Sequence, residues 1–391
     1  MSTYTLVDLF AGAGGMSLGF EREGFDIKMA VEQDLWASDT YILNHKNKNL
    51  IRADIKTLDN SYFEQYKNKV DVVVGGPPCQ GFSIAASNRR KDNDDRNVLY
   101  KEFLRVVAVI EPKIVIIENV KEIINFKLEN GTKIVDDIDT FFDKLGYITD
   151  YSIIDCKKYG LPQDRRRFFY LAVRSDFALN KINLDELFEQ FLSEEITFLE
   201  ACSDLPVVRP WEYEENSVLD YTTPPKNEYQ REMRKFSIKV YNHIPMKHTK
   251  RTVEKFRYLL ENENDENLPE SLKSRVRGNS EEISKSKFSQ NHRIIDANKV
   301  SPTITASFYS SFIHPTQPRN LTVREAARMQ SFPDDFIFCG KKTTLSKKLL
   351  EKKGVFEDLH LDQFNQVGNA VPPYIAKHLA NIVKDILDKG E

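Results

Sequence analysis

Short apolar runs alternate with amphipathic stretches through the first half of the chain, the pattern of strands joined by crossover helices. Strands are expected at Thr5–Phe10, Asp26–Glu32, Val70–Gly76, Lys113–Val120, Tyr147–Asp155 and Arg166–Val173. The runs Val70-Asp71-Val72-Val73-Val74 and Ile114-Val115-Ile116-Ile117 are nearly continuous and β-branched, as strands covered on both faces must be. Helices are predicted over Asn97–Ile110 and Lys133–Leu145. The class is therefore α/β, with a parallel sheet at its centre.

Past about Ser175 the pattern changes. The stretch from Ile182 to Asp220 is acidic, and prolines appear at Pro206, Pro210, Pro224 and Pro225. From Tyr221 to Leu260 ten Lys and Arg stand against three acids, a net +7. Tyr229, Arg231, Arg234, Lys235, Tyr241, His243, Lys247, His248, Lys250 and Arg251 interleave there, a stripe suited to a phosphate backbone with aromatic contacts. The acidic run Glu261–Glu266 reads as a solvated loop.

Composition narrows the classes. With 56 basic and 59 acidic residues among 391, and 40% apolar, the chain is an ordinary globular one, long enough for two or three domains. The longest apolar candidate for a membrane span, Val106–Val120, is broken by Glu111, Pro112 and Lys113. Met1–Leu6 lacks a basic n-region and an apolar h-region, so the expected location is the cytoplasm. The four cysteines stand far apart, which offers neither a disulfide framework nor a zinc site; no metal is expected.

Candidate chemistry gathers at strand ends. The first strand runs into Phe10-Ala11-Gly12-Ala13-Gly14-Gly15, where glycines let backbone approach a bound cofactor. Glu32 closes the next strand, placed to bind ribose hydroxyls, and Asp54 follows a third apolar step. These features allow either a dinucleotide or S-adenosylmethionine. The strand Val70–Val74 leads into Gly75-Gly76-Pro77-Pro78-Cys79-Gln80-Gly81-Phe82-Ser83, a stiff frame that marks Cys79 as a nucleophile. The polar stretch Ala85–Asn97 beyond it suits a lid over substrate. Glu118, leaving an apolar strand, is a proton-donor candidate, with Asn119 beside it. Alternation puts Arg165 and Arg167 on one face, where two guanidinium groups suit a carbonyl oxygen or a phosphate.

In this order the blocks resemble the DNA (cytosine-5) methyltransferases of bacterial restriction–modification systems. The likeness rests on Gly-Pro-Pro-Cys-Gln-Gly-Phe-Ser (76–83) and Glu-Asn-Val (118–120). Arg324-Glu325-Ala326-Ala327-Arg328-Met329-Gln330-Ser331-Phe332-Pro333 and Gln366-Val367-Gly368-Asn369-Ala370-Val371-Pro372-Pro373 extend it over Asp8 to Pro373. The resemblance implies a Rossmann-like S-adenosylmethionine-dependent methyltransferase sheet, with a smaller target-recognition domain inserted. Its catalytic domain would be 1–180, completed by 355–391, and its recognition domain 181–354. It implies attack of the Cys79 thiolate on carbon 6 of a flipped-out cytosine, with Glu118 on ring nitrogen 3 and Arg165 on the carbonyl oxygen. Asn119, Gln80, Ser83 and Arg167 complete the implied catalytic set. The cofactor would rest on Phe10, Ala11, Gly12, Gly14, Glu32, Asp54, Ile55, Pro77, Leu99, Asn369 and Val371. The implied partner is double-stranded DNA, with a cognate restriction endonuclease acting on the same site; no membrane partner is expected, and the chain is read as a monomer. Three rivals remain at this point: a transfer RNA cytosine methyltransferase, a non-catalytic binding module, and an NAD-dependent dehydrogenase, which would explain the glycine turn but not the cysteine loop.

Overall fold

A computed structural model describes residues 3–46, 48–78, 99–177, 181–262, 267–273, 275–276, 279–283 and 292–390. Its centre is a seven-stranded sheet: β1 (Thr5–Leu9), β2 (Asp26–Glu32), β3 (Leu50–Arg52), β4 (Val72–Gly75), β5 (Ile114–Val120), β6 (Tyr147–Asp155) and β7 (Arg166–Arg174). The spatial order is β3-β2-β1-β4-β5-β7-β6. The order of succession of the strands reverses between β1 and β4, which places a crevice at the C-terminal ends of the strands.

The five strands from β3 to β5 are parallel, in register Leu6↔Val72 and Val72↔Ile114. The expected parallel sheet is interrupted at β7, which runs antiparallel to both β5 and β6. Only residues 156–165 separate β6 from β7. That is too little chain for a crossover helix, so it turns back beside β5.

Helices cover both faces. On one, Val7, Leu9, Val73, Val115 and Phe168 pack with α3 (Leu99–Ile110) and α4 (Ile134–Lys144). On the other, Leu6, Val74, Ile116, Phe169 and Leu171 pack with α1 (Gly15–Arg22) and the C-terminal helix, α7 (Pro373–Gly390). Alternate residues of β1 and β4 feed the two layers, which is why the valine run has no polar positions. At Gly19 a Cβ would stand 2.4 Å from Ala376 Cβ, so α1 and α7 touch backbone to backbone. Among the described residues no helix is long and apolar enough to cross a membrane.

A third core joins Phe198, Met233, Ile304, Phe308, Phe332, Phe336 and Phe364 to Ala13 and Leu18 of the first half. Its axis is the short α5 (Val323–Met329), capped at Thr322 by reciprocal bonds with Glu325. Three arginines around it are fully buried. Arg319 holds Glu325 through two bonds of 2.8 and 2.7 Å. Arg324 donates to the carbonyls of Tyr241, Pro333 and Phe336. Arg328 bridges Asp334 (2.7 and 2.6 Å) and Asp204 (2.9 Å). The alanines of this helix leave room, and its arginines satisfy charges and carbonyls that no water reaches.

Arg328→Ala is expected to lower stability by about 3–5 kcal/mol, because it removes the guanidinium that bridges two buried carboxylates. Urea unfolding measures this. A change inside about 0.5 kcal/mol, as for an ordinary surface substitution, would contradict the role given to Arg328.

Candidate active site

The turn after β1 is held in an unusual backbone path. Phe10, Gly12 and Gly14 adopt φ of 60°, 56° and 93°. Phenylalanine in the left-handed region is strained, so the turn needs outside bonds to persist. They come from Ala11 N to Val31 O (3.0 Å), Gly14 N to Ala11 O (2.9 Å) and Gly12 N to Glu32 Oε2 (2.8 Å). Glu32 Oε1 accepts from Asp34 N at 2.7 Å. Below the turn, burial pushes the Asp8 carboxyl up to about 7, although the Ser17 hydroxyl donates to it at 2.6 Å.

This turn walls a cavity of about 700 Å³ at the strand ends. Phe10, Ala11, Gly12, Glu32, Asp54, Ile55, Pro77, Leu99, Asn369 and Val371 all line it. Gly14 does not, contrary to expectation. A Cβ there would meet His45 Nε2 at 2.1 Å and Tyr41 at 2.8 Å, so this glycine serves the packing beneath the turn. Among the described residues no group of His, Cys, Asp and Glu is arranged to hold a metal ion.

One end of the cavity carries charge. Glu118 and Asn119, at the end of β5, line it together with Pro77, Pro78 and Arg167. Glu118 Oε1 lies 3.0 Å from Arg167 Nε. Burial raises the Glu118 pKa above the ordinary carboxylate range, while Arg167 and then Arg165 pull it back. Asn119 donates to Pro77 O at 3.2 Å and accepts from Val120 N at 2.8 Å, tying β5 to the loop that leaves β4. Cys79, Gln80 and Ser83 lie outside the described residues, as does the expected lid Ala85–Asn97.

Arg165 differs from its neighbour. It is fully buried, does not line the cavity, and donates to Ile304 O (2.9 Å), Gly368 O (3.2 Å) and Ala370 O (3.2 Å). Its two terminal nitrogens donate to backbone carbonyls of the second half of the chain, while its buried Nε has no partner among the described residues. Of the two arginines expected at a substrate oxygen, Arg167 lines the cavity and Arg165 lies behind its wall.

The basic stripe also divides. Tyr229 and His243 are buried: the Tyr229 hydroxyl donates to Arg328 O, and His243 lies against Thr322 and Pro206 O. Arg234 is held by the buried Asp204 at 3.2 Å and stacks on Tyr221 at 3.6 Å. Arg231, Lys235, Lys247, Lys250 and Arg251 remain exposed, though Arg231 pairs with Glu228, and Arg251 donates to the carbonyls of Ser271 and Lys273. Tyr229 and His243 are interior residues, which a charge count cannot separate from surface ones.

Sequence reasoning missed Asp34, Gln366 and the wall Leu359–His360–Leu361, all of which line the cavity. Asp34 carried a signal, since it caps α2 (Leu35–Asn44) by accepting from Ala37 N at 3.0 Å. Residues 359–361 carried none.

Comparison with known proteins agrees over nearly the full length. The family model for C-5 cytosine-specific DNA methylase matches residues 4–385. The chain is 43% identical to the type II methyltransferase M.DdeI of Desulfomicrobium norvegicum over 375 residues, which is 96% of this chain and 87% of that one. Against the type II methyltransferase M1.HphI of Haemophilus parahaemolyticus the identity is 34%, covering 97% and 86%. A crystal structure described as a prophage-encoded DNA modification methyltransferase (E. coli) superposes with a TM-score of 0.72 at 26% identity, covering 99% of this chain and 100% of that one.

The two arginines should separate in unfolding experiments. Arg165→Ala leaves two buried carbonyls and one half-buried carbonyl without this donor and is expected to cost about 3 kcal/mol. Arg167→Ala should cost about 1 kcal/mol at a pH where Glu118 is protonated. The Arg167 variant should then lose stability relative to the parent as pH rises. A buried acid whose folded pKa is raised binds its proton more tightly folded than unfolded, so stability falls once the unfolded chain can ionise it. Equal costs with the same pH dependence would contradict this division.

Proposed function

The chain belongs to the C-5 cytosine-specific DNA methylase family and methylates cytosine in DNA with S-adenosylmethionine as donor, and we propose that it does so within one duplex sequence, through a covalent adduct between Cys79 and a cytosine turned out of the helix. Carbon 5 of cytosine is a poor nucleophile, and the ring must first be made electron-rich. The Cys79 thiolate adds to carbon 6, forming the sulfur–carbon bond and shifting the ring π electrons toward carbon 5. Glu118 delivers its proton to ring nitrogen 3 in the same step. When bound, S-adenosylmethionine supplies the methyl group that carbon 5 receives. Loss of the carbon-5 proton to a base and departure of the thiolate restore the ring, and the nitrogen-3 proton returns to Glu118. The base must leave the stack because a thiolate cannot reach carbon 6 inside a duplex.

The observation that carries this reading is the half-buried Glu118–Arg167 pair at one end of a cavity whose other end holds Glu32 and Asp54. Burial keeps a proton on Glu118 to higher pH than usual, as a donor to nitrogen 3 requires. Arg167, which lines the cavity, is the group nearest to hand for the carbonyl oxygen, with Arg165 behind it. The residues fit the donor: carboxylates at the ends of β2 and β3 suit ribose hydroxyls, Ile55, Leu99 and Pro77 suit a flat ring, and the glycine turn admits close backbone contact.

The same reading assigns 1–180 with 355–391 to catalysis and 181–354 to target recognition. The exposed members of the basic block, Lys235, Lys247 and Lys250, are the candidates for phosphate contact. We place the protein in the cytoplasm as a monomer, acting beside a restriction endonuclease that cuts the same sequence.

Duplex DNA with 5-fluorocytosine at the target position tests the chemistry, because fluorine cannot leave as a cation and the adduct should persist. A denaturant-resistant complex is expected only when S-adenosylmethionine is present. Cys79→Ser should abolish it, since a hydroxyl is far less ionised than a thiol. Glu118→Gln should slow it by roughly 100-fold. Cys156→Ser, Cys202→Ser and Cys339→Ser should leave it intact. An adduct that survives Cys79→Ser would overturn the mechanism.

A further inference from the structure

Between α5 and α6 (Gln363–Asn369) the chain makes an excursion that returns along α2 and ends at the cavity wall. It is fastened at every turn of that helix. Asn44 Oδ1 accepts from Ile337 N at 2.7 Å, and Thr40 Oγ1 accepts from Cys339 N at 2.8 Å. Gly340, at φ 81°, lies on the Trp36 ring so closely that a Cβ would stand 2.5 Å from it. Asp34 Oδ2 accepts from Leu361 N at 2.9 Å and lies 3.5 Å from His360 Nδ1. The His360 ring sits 5.4 Å from the Trp36 ring, centroid to centroid. Gln366 closes the excursion by donating to the carbonyls of Leu361 and Cys339.

These bonds fix which end of the cavity the excursion covers. Asp34 and Trp36 directly follow Glu32 on β2, and in the sheet order β2 is separated from β5, with Glu118, by β1 and β4. Residues 359–361 therefore wall the Glu32–Asp54 end rather than the reacting end. In the tautomer that carries its proton on Nδ1, beside Asp34, the ring offers Nε2 as an acceptor. An adenosyl group presents a flat ring, an exocyclic amine and ribose hydroxyls, all of which suit a fixed imidazole with a free acceptor.

We infer that His360 is a specificity-determining residue for the cofactor, contacting its adenosyl part and held in place by Asp34 and Trp36. This rests on the reading of the cavity as the S-adenosylmethionine site. The sequence before and after His360 follows no pattern that would have suggested it, because its partners are on α2, more than 300 residues earlier.

Calorimetric titration with two ligands tests it: S-adenosylhomocysteine, and 5′-methylthioadenosine, which keeps the adenosyl part and lacks the amino-acid part. His360→Ala should weaken both by the same factor, roughly five- to tenfold. His360→Gln, which retains an acceptor, should lose less and serves as the readout should the alanine variant fold poorly. Binding of both ligands within twofold of the parent would overturn the role of His360, as would a loss confined to S-adenosylhomocysteine. Failure of the parent itself to bind S-adenosylhomocysteine would instead overturn the reading of the cavity.

Discussion

One buried guanidinium joins the parts of this molecule that must act together. Arg165 leaves the sheet just before β7 and holds the carbonyls of Ile304, Gly368 and Ala370. Those residues belong to the third core and to the segment that precedes the C-terminal helix. Gly368 itself leaves no room for a side chain, since a Cβ would stand 2.4 Å from the Thr305 backbone. Asn369 and Val371, which flank the Arg165 contact, are cavity residues. The far wall of the site is thus positioned by a residue that does not touch it. Desolvating a guanidinium is costly, and three well-placed carbonyls offset that cost only while the two halves stay docked.

The same economy of charge sets up the reacting end. Arg167, two residues on, meets Glu118 across the antiparallel β5–β7 pair. A parallel strand in that place would have needed a crossover and could not have followed β6 so soon. The reversal of β7 therefore has a chemical consequence, because it brings a cation beside an acid whose pKa burial raises. Glu118 stays poised between the two tendencies, which suits a group that must give a proton and take it back.

Much of this was legible along the chain. Val72–Val74 and Ile114–Ile117 announced central strands because a strand covered on both faces has no polar position. Phe10–Gly15, Glu32 and Asp54 announced a cofactor site because strand ends and glycine turns are local features. What escaped depends on partners distant in sequence. Arg165 and Arg167 share a face and a spacing, and only the carbonyls of residues 304, 368 and 370 tell them apart. Tyr229 and His243 sit among lysines and arginines yet face a core built by α5. His360 acquires its place from Asp34 and Trp36, in a part of the chain without periodicity or motif.

Bisulfite sequencing of DNA from cells expressing the chain tests the central reading most directly, because methylation at carbon 5 protects cytosine from deamination. Protection should fall on one cytosine of a single recurring sequence and vanish with Cys79→Ser. Unprotected DNA throughout, or protection confined to RNA from the same cells, would contradict it.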